Sequence, residues 1–149
     1  MTALHRTVRT AAPAALVWAL VSDLRSTEEW DLTTVRTTLL HGDGGLGSRY
    51  EHVVRIGGVR VPLTCVVAES VPGRHVRYDG ISQDLNTRIS LDVTPDEHGS
   101  TLDWSATYHR RGTAVPPWST TEAALEQLAD ATAESLAESL DHLLVDARG

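Results

Sequence analysis

Between Val35 and His109 apolar and polar residues alternate at every second position, whereas between Thr120 and Val145 the apolar ones return every third or fourth. The first period belongs to strands and the second to a helix. Over Thr87–Thr94, Ile89, Leu91 and Val93 share one face, with Arg88, Ser90, Asp92 and Thr94 on the other. Over Thr101–His109, Leu102, Trp104, Ala106 and Tyr108 stand opposite Thr101, Asp103, Ser105, Thr107 and His109. Four more strands are predicted over Thr33–His41, Ser48–Ile56, Val59–Ser70 and His75–Ile81, divided by Gly42-Asp43-Gly44-Gly45, Gly57-Gly58 and Pro72-Gly73. Pro62 predicts an edge or a bulge within its strand. Turns this short between successive strands predict an antiparallel meander.

Ahead of these strands, Leu4 to Thr10 alternates as a first strand. Pro13 then opens a short helix with Leu16, Val17, Leu20 and Val21 at helical spacing. Ser26-Thr27-Glu28-Glu29 starts a second short helix that ends at Trp30-Asp31. The C-terminal helix, with Thr121 as its N-cap, carries Leu125, Leu128, Thr132, Leu136, Leu140 and Leu143 on one stripe. Ala129, Ala133 and Ser139 thin that stripe, and Glu126, Asp130, Glu134, Glu138 and Asp141 line the other side. The predicted class is α+β: a curved antiparallel sheet of about seven strands, two short helices and a long terminal helix. A curved sheet around a helix encloses a cavity, and residues 1–149 read as one domain.

Charge and composition narrow the function. The formal net charge is −7, lysine is absent and arginine is scattered, so there is no basic stripe for a nucleic acid. No apolar run reaches the roughly 18–20 residues of a membrane span, and the N-terminus lacks a signal core, so a cytoplasmic location is expected. Cys65 is the only cysteine, and seven histidines are scattered without metal-ligand spacing; no metal or other cofactor is expected. Homodimerisation stays open.

The order of elements and several local motifs resemble the START-like (SRPBCC) superfamily and its helix-grip fold. Ala12-Pro13, Val17-Trp18 and Ser22-Asp23 resemble the family's opening helix, and Trp30-Asp31 its tryptophan after the second helix. Gly42 to Tyr50 is similar to the glycine-rich entry to its third strand. Val67 to Arg74 looks like the end of its fourth strand, and His98 to Leu102 the turn into its last. Within the superfamily the chain looks most like the polyketide cyclase/dehydrase-like subgroup. The resemblance implies a hydrophobic small molecule, polyketide-like or aromatic, held in an internal cavity without a cofactor.

The apolar strand faces are expected to point into that cavity. Tyr50, Val54, Cys65, Leu91 and Trp104 from the strands and Leu128, Thr132 and Leu136 from the helix then form the ligand-binding set, with Trp30 and Trp118 at the mouth. His52 is the candidate acid/base residue, because imidazole titrates near neutral pH and cyclisation or dehydration needs proton transfer beside a carbonyl. Tyr78 and Tyr108 are candidate donors to an enolate oxygen. Three functions stay open at this level: a cofactor-independent polyketide cyclase/dehydratase, a non-catalytic carrier or sensor of a lipid or hydrophobic metabolite, and an interaction module whose open sheet edge or helix docks a protein partner.

Overall fold

The computed structural model describes residues 1–112 and 121–148. Its elements run β1 (Thr2–Thr10), α1 (Ala14–Val21), a 3-10 turn (Leu24–Ser26) and α2 (Thr27–Trp30). Then come β2 (Thr34–His41), β3 (Arg49–Ile56), β4 (Val59–Val71), β5 (His75–Ile81), β6 (Leu85–Asp96), β7 (Gly99–Arg110) and α3 (Glu122–Arg148). The strands form one antiparallel sheet in the order β1-β7-β6-β5-β4-β3-β2. Strands β2 to β6 each pair with the next in sequence, as short turns dictate. β1 pairs with β7 instead, Leu4 opposite Ala106 and Arg6 opposite Trp104.

Local chemistry explains the turns and the register. The β3–β4 hairpin closes through Gly57 and Gly58, both at positive φ (57° and 79°), which the tightest right-twisted hairpins require at both central positions. The β3–β4 register then runs unbroken from Ile56 opposite Val59 to Arg49 opposite Val66, with Pro62 opposite Val53. β5 begins to pair with β4 only at Thr64, so β4 is an edge on its other side at Pro62. The missing N–H of the proline interrupts no ladder, and the edge alternative is the one the chain takes. The irregularity in β4 falls later, between Val67 and Glu69.

The helices lie over one face of the sheet. Thr121 caps α3, its Oγ1 accepting from the Ala124 amide at 3.1 Å. The buried stripe of α3 is Leu125, Ala129, Thr132, Leu136 and Leu140. Its start is tied to β1 by Arg6, which reaches Glu126 Oε2 at 2.5 Å and Asp130 Oδ1 at 2.8 Å. α1 covers the sheet at β6 and β7, and α2 packs on β2 and α3. This arrangement is the helix-grip fold.

Candidate functional site

The alternating faces of the strands decide which side chains meet the helices. Tyr50 (0% exposed), His52 (1%), Cys65 (2%), Tyr78 (1%), Leu91 (1%) and Trp104 (4%) are all enclosed, as are Val54, Thr132 and Leu136. Most of them fill space. The rings of Tyr50 and Tyr78 meet edge to face, 6.3 Å apart at 86°. Trp30, Leu136 and Leu140 pack the rest of the interior.

One hollow lies between α3, β1 and β7, bounded in part by Asp31, Thr33, Trp104, Tyr108, Leu128 and Thr132. Its volume is about 10 Å³, space for about one water molecule. The ligand-sized cavity expected from the sequence is therefore not open at this point: side-chain volume has closed it. Four of the sequence-predicted residues do converge there, Trp104, Tyr108, Leu128 and Thr132. Asp31 and Thr33 join them without having been foreseen. The available signal was an acid directly after the second short helix with a threonine two positions on; the Asp31 carboxylate accepts from the Thr33 amide at 2.9 Å and its hydroxyl at 2.8 Å.

His52 does not line this hollow but is linked to it through Asp31, whose charge reaches the imidazole. Its Nε2 is 2.8 Å from the hydroxyl of Thr34, next in the chain to Thr33, and its Nδ1 has no hydrogen-bond partner among the described residues. Burial holds the imidazole below its ordinary pKa of 6.5, against the pull of the Asp31 carboxylate. The same carboxylate acts on Tyr108. That ring keeps some open surface but is crowded closely by protein, so burial and then Asp31 raise its phenol well above 10. Asp31 thus links two groups carried on strands four places apart in the sheet order. Three further buried polar atoms lack a partner among the described residues, Trp104 Nε1, Tyr50 Oη and Asn86 Oδ1, the last beside the opposite face of the sheet; the Leu24 backbone lies near Tyr50 Oη, outside good hydrogen-bonding geometry. A buried polar atom left unpaired costs roughly 1–3 kcal/mol, so each marks a site with an unmet demand.

The remaining predicted residues have other duties. The Tyr78 hydroxyl donates to the Val21 carbonyl at 2.8 Å, at the end of α1, which commits it away from the hollow. Trp30 Nε1 donates to Ser26 Oγ at 3.0 Å. The Cys65 thiol is pushed up to about 12 by burial and then by Asp79, which makes it unreactive. Val54, Leu91 and Leu136 are packing residues of the core. Trp118 lies outside the described residues. A larger concavity, about 750 Å³, opens on the opposite face of the sheet around Arg49, Val66, Ile81, Arg88 and His109. None of the predicted site residues among the described residues line it. No described helix is long and apolar enough to cross a membrane.

Solved structures share this architecture. A protein from Thermus thermophilus, TTHA0849, superposes with a TM-score of 0.72 at 17% identity, covering 99% of each chain. A START superfamily protein from Mycobacterium smegmatis gives 0.69 at 18% identity over 94% of each chain. The Zhui aromatase/cyclase from Streptomyces sp. R1128 gives 0.67 at 18% identity, over 99% of this chain and 93% of the other. Identities this low establish likeness of fold. No curated protein matches the chain in sequence. The family model described as "Polyketide cyclase / dehydrase and lipid transport" matches residues 1–141, and the chain belongs to that family.

Proposed function

We propose that the protein holds a hydrophobic small molecule, aromatic or polyketide-like, between the first turns of α3 and the β1–β7 side of the sheet, and that His52 serves as its acid/base group. The observation that carries this reading is a pair of buried polar atoms without partners among the described residues: Trp104 Nε1, on the wall of a hollow edged by Tyr108 and Asp31, and His52 Nδ1, on a ring that the Asp31 charge reaches. A ligand carbonyl would accept from the Trp104 N–H and the Tyr108 hydroxyl. Burial keeps His52 neutral and so able to take a proton from carbon next to such a carbonyl. Holding the substrate in a folded, reactive shape supplies most of the rate, and proton transfer supplies the rest. Because the hollow is about 10 Å³ when closed, entry requires Leu125 and Leu128 to move away from Trp104 and Tyr108.

The carrier reading has an observation of its own. His52 Nε2 is occupied by Thr34 and the Tyr108 phenol is a poor acid, so the site holds more readily than it reacts. One titration tests what both readings share. N-phenyl-1-naphthylamine, a neutral dye that brightens in apolar surroundings, is expected to bind saturably at one site per chain, and Leu128→Trp, which fills the hollow, to weaken it at least ten-fold. No saturable signal, or equal binding by the variant, overturns the assignment. Native mass spectrometry then separates the two: a host molecule retained unchanged, with His52→Gln holding it equally well, supports the carrier.

A further inference from the structure

Among the described residues, the lining of the hollow carries one acidic side chain, Asp31, and no basic one. The chain between β7 and α3 that lies outside the described residues, 113–120, reads Thr-Ala-Val-Pro-Pro-Trp-Ser-Thr and contains no ionisable side chain. The arginine on the inner side of β1, Arg6, is held by two carboxylates, Glu126 and Asp130. Among the described residues, no arginine faces the hollow. Asp31 itself is half-buried, and both hydrogen bonds it accepts there end on one oxygen, Oδ1. Its other oxygen accepts no hydrogen bond among the described residues.

Resting on the ligand-binding reading above, we infer that Asp31 sets the chemical class of the ligand: a neutral molecule bearing a hydroxyl donor, a phenol or an alcohol, with free carboxylic acids turned away. Two physical effects act together. A ligand O–H satisfies the open Oδ2 through a charge-assisted hydrogen bond, about twice as strong as a neutral one. A ligand carboxylate at the same place meets a like charge, with no cation among the described residues lining the hollow to offset it. A substrate whose acid end is free is excluded on this ground, whereas a neutral one that carries a hydroxyl is admitted.

Three naphthalenes of nearly one size test this: 2-naphthol, 2-naphthoate and 2-naphthylmethanol, titrated at pH 7 by calorimetry against the full chain. The two alcohols are expected to bind at least ten-fold more tightly than 2-naphthoate. Asp31→Asn, which keeps the Oδ1 acceptor for Thr33 and hence the local turn, should bring the three within about three-fold of one another. If 2-naphthoate binds wild-type protein as well as the alcohols, or if Asp31→Asn keeps the full preference, charge selection is wrong while the site stands. If none of the three binds, the ligand-binding reading itself fails and this inference with it.

Discussion

Two tyrosines that look equivalent in the sequence should behave oppositely when each loses its hydroxyl. Tyr78 Oη donates to the Val21 carbonyl at 2.8 Å inside a fully covered interior. Val21 ends α1, and the last carbonyls of a helix have no partner within it. Tyr78→Phe therefore removes one hydrogen bond and strands a buried acceptor with no route to water, a loss of about 1–3 kcal/mol. In a protein of this length each kcal/mol lowers the melting temperature by roughly 2–4 °C. The Tyr108 hydroxyl makes no hydrogen bond among the described residues and edges the hollow. Tyr108→Phe should cost stability under about 0.5 kcal/mol, in the range of substitutions that break nothing. Its effect should fall on a carbonyl-bearing ligand, with affinity dropping roughly five-fold for one lost hydrogen bond of about 1 kcal/mol. Urea and thermal unfolding of both variants, followed by titration with 2-acetonaphthone, measure the two effects separately. If Tyr78→Phe unfolds like the wild type but loses the ligand, or Tyr108→Phe does the reverse, the division of labour drawn here is wrong.

The two perturbed histidines pull stability in opposite directions with pH. His52 has its pKa lowered by burial, so below about 6.5 the unfolded chain takes up a proton that the folded one refuses, and stability falls as the pH drops. His75 is also opposed by burial, but hydrogen bonds to Glu69 at 3.0 Å and Asp92 at 2.8 Å outweigh it and raise the pKa. Its contribution is complete below about 6.5 and is lost as the pH rises through the raised value. Urea midpoints between pH 5 and 8 should show a shallower acid slope in His52→Gln, while the deficit of His75→Gln should be greatest near pH 5 and shrink toward pH 8. Gly80→Ala makes a packing test: a Cβ there would run into Thr87 Oγ1 and come within 2.9 Å of Cys65 Sγ, so a loss of about 1–3 kcal/mol is expected in the same assay.

Much of this molecule follows from periodicity and punctuation. The two-residue alternation in β6 and β7 assigned Leu91, Trp104 and Tyr108 to one face, because a pleated strand gives its residues only two sides to choose from. Gly57-Gly58 set the β3–β4 turn, and its register carried His52 inward, because a one-residue slip would have turned the whole apolar set to water. The helical stripe placed Leu128, Thr132 and Leu136 against the sheet in the same way. What the tertiary structure decided lies where those rules are silent. Asp31 sits in an irregular segment with no period to give it a direction, and only the curl of the sheet brings it between β3 and β7 to act on both His52 and Tyr108. The Tyr78 hydroxyl meets a carbonyl 57 positions away in the chain. The hollow was beyond reach for a further reason. Its size is a small difference between the space inside the sheet and the summed volume of the side chains that fill it, and interiors packed to crystal density leave that difference to the fit of individual rings and methyls.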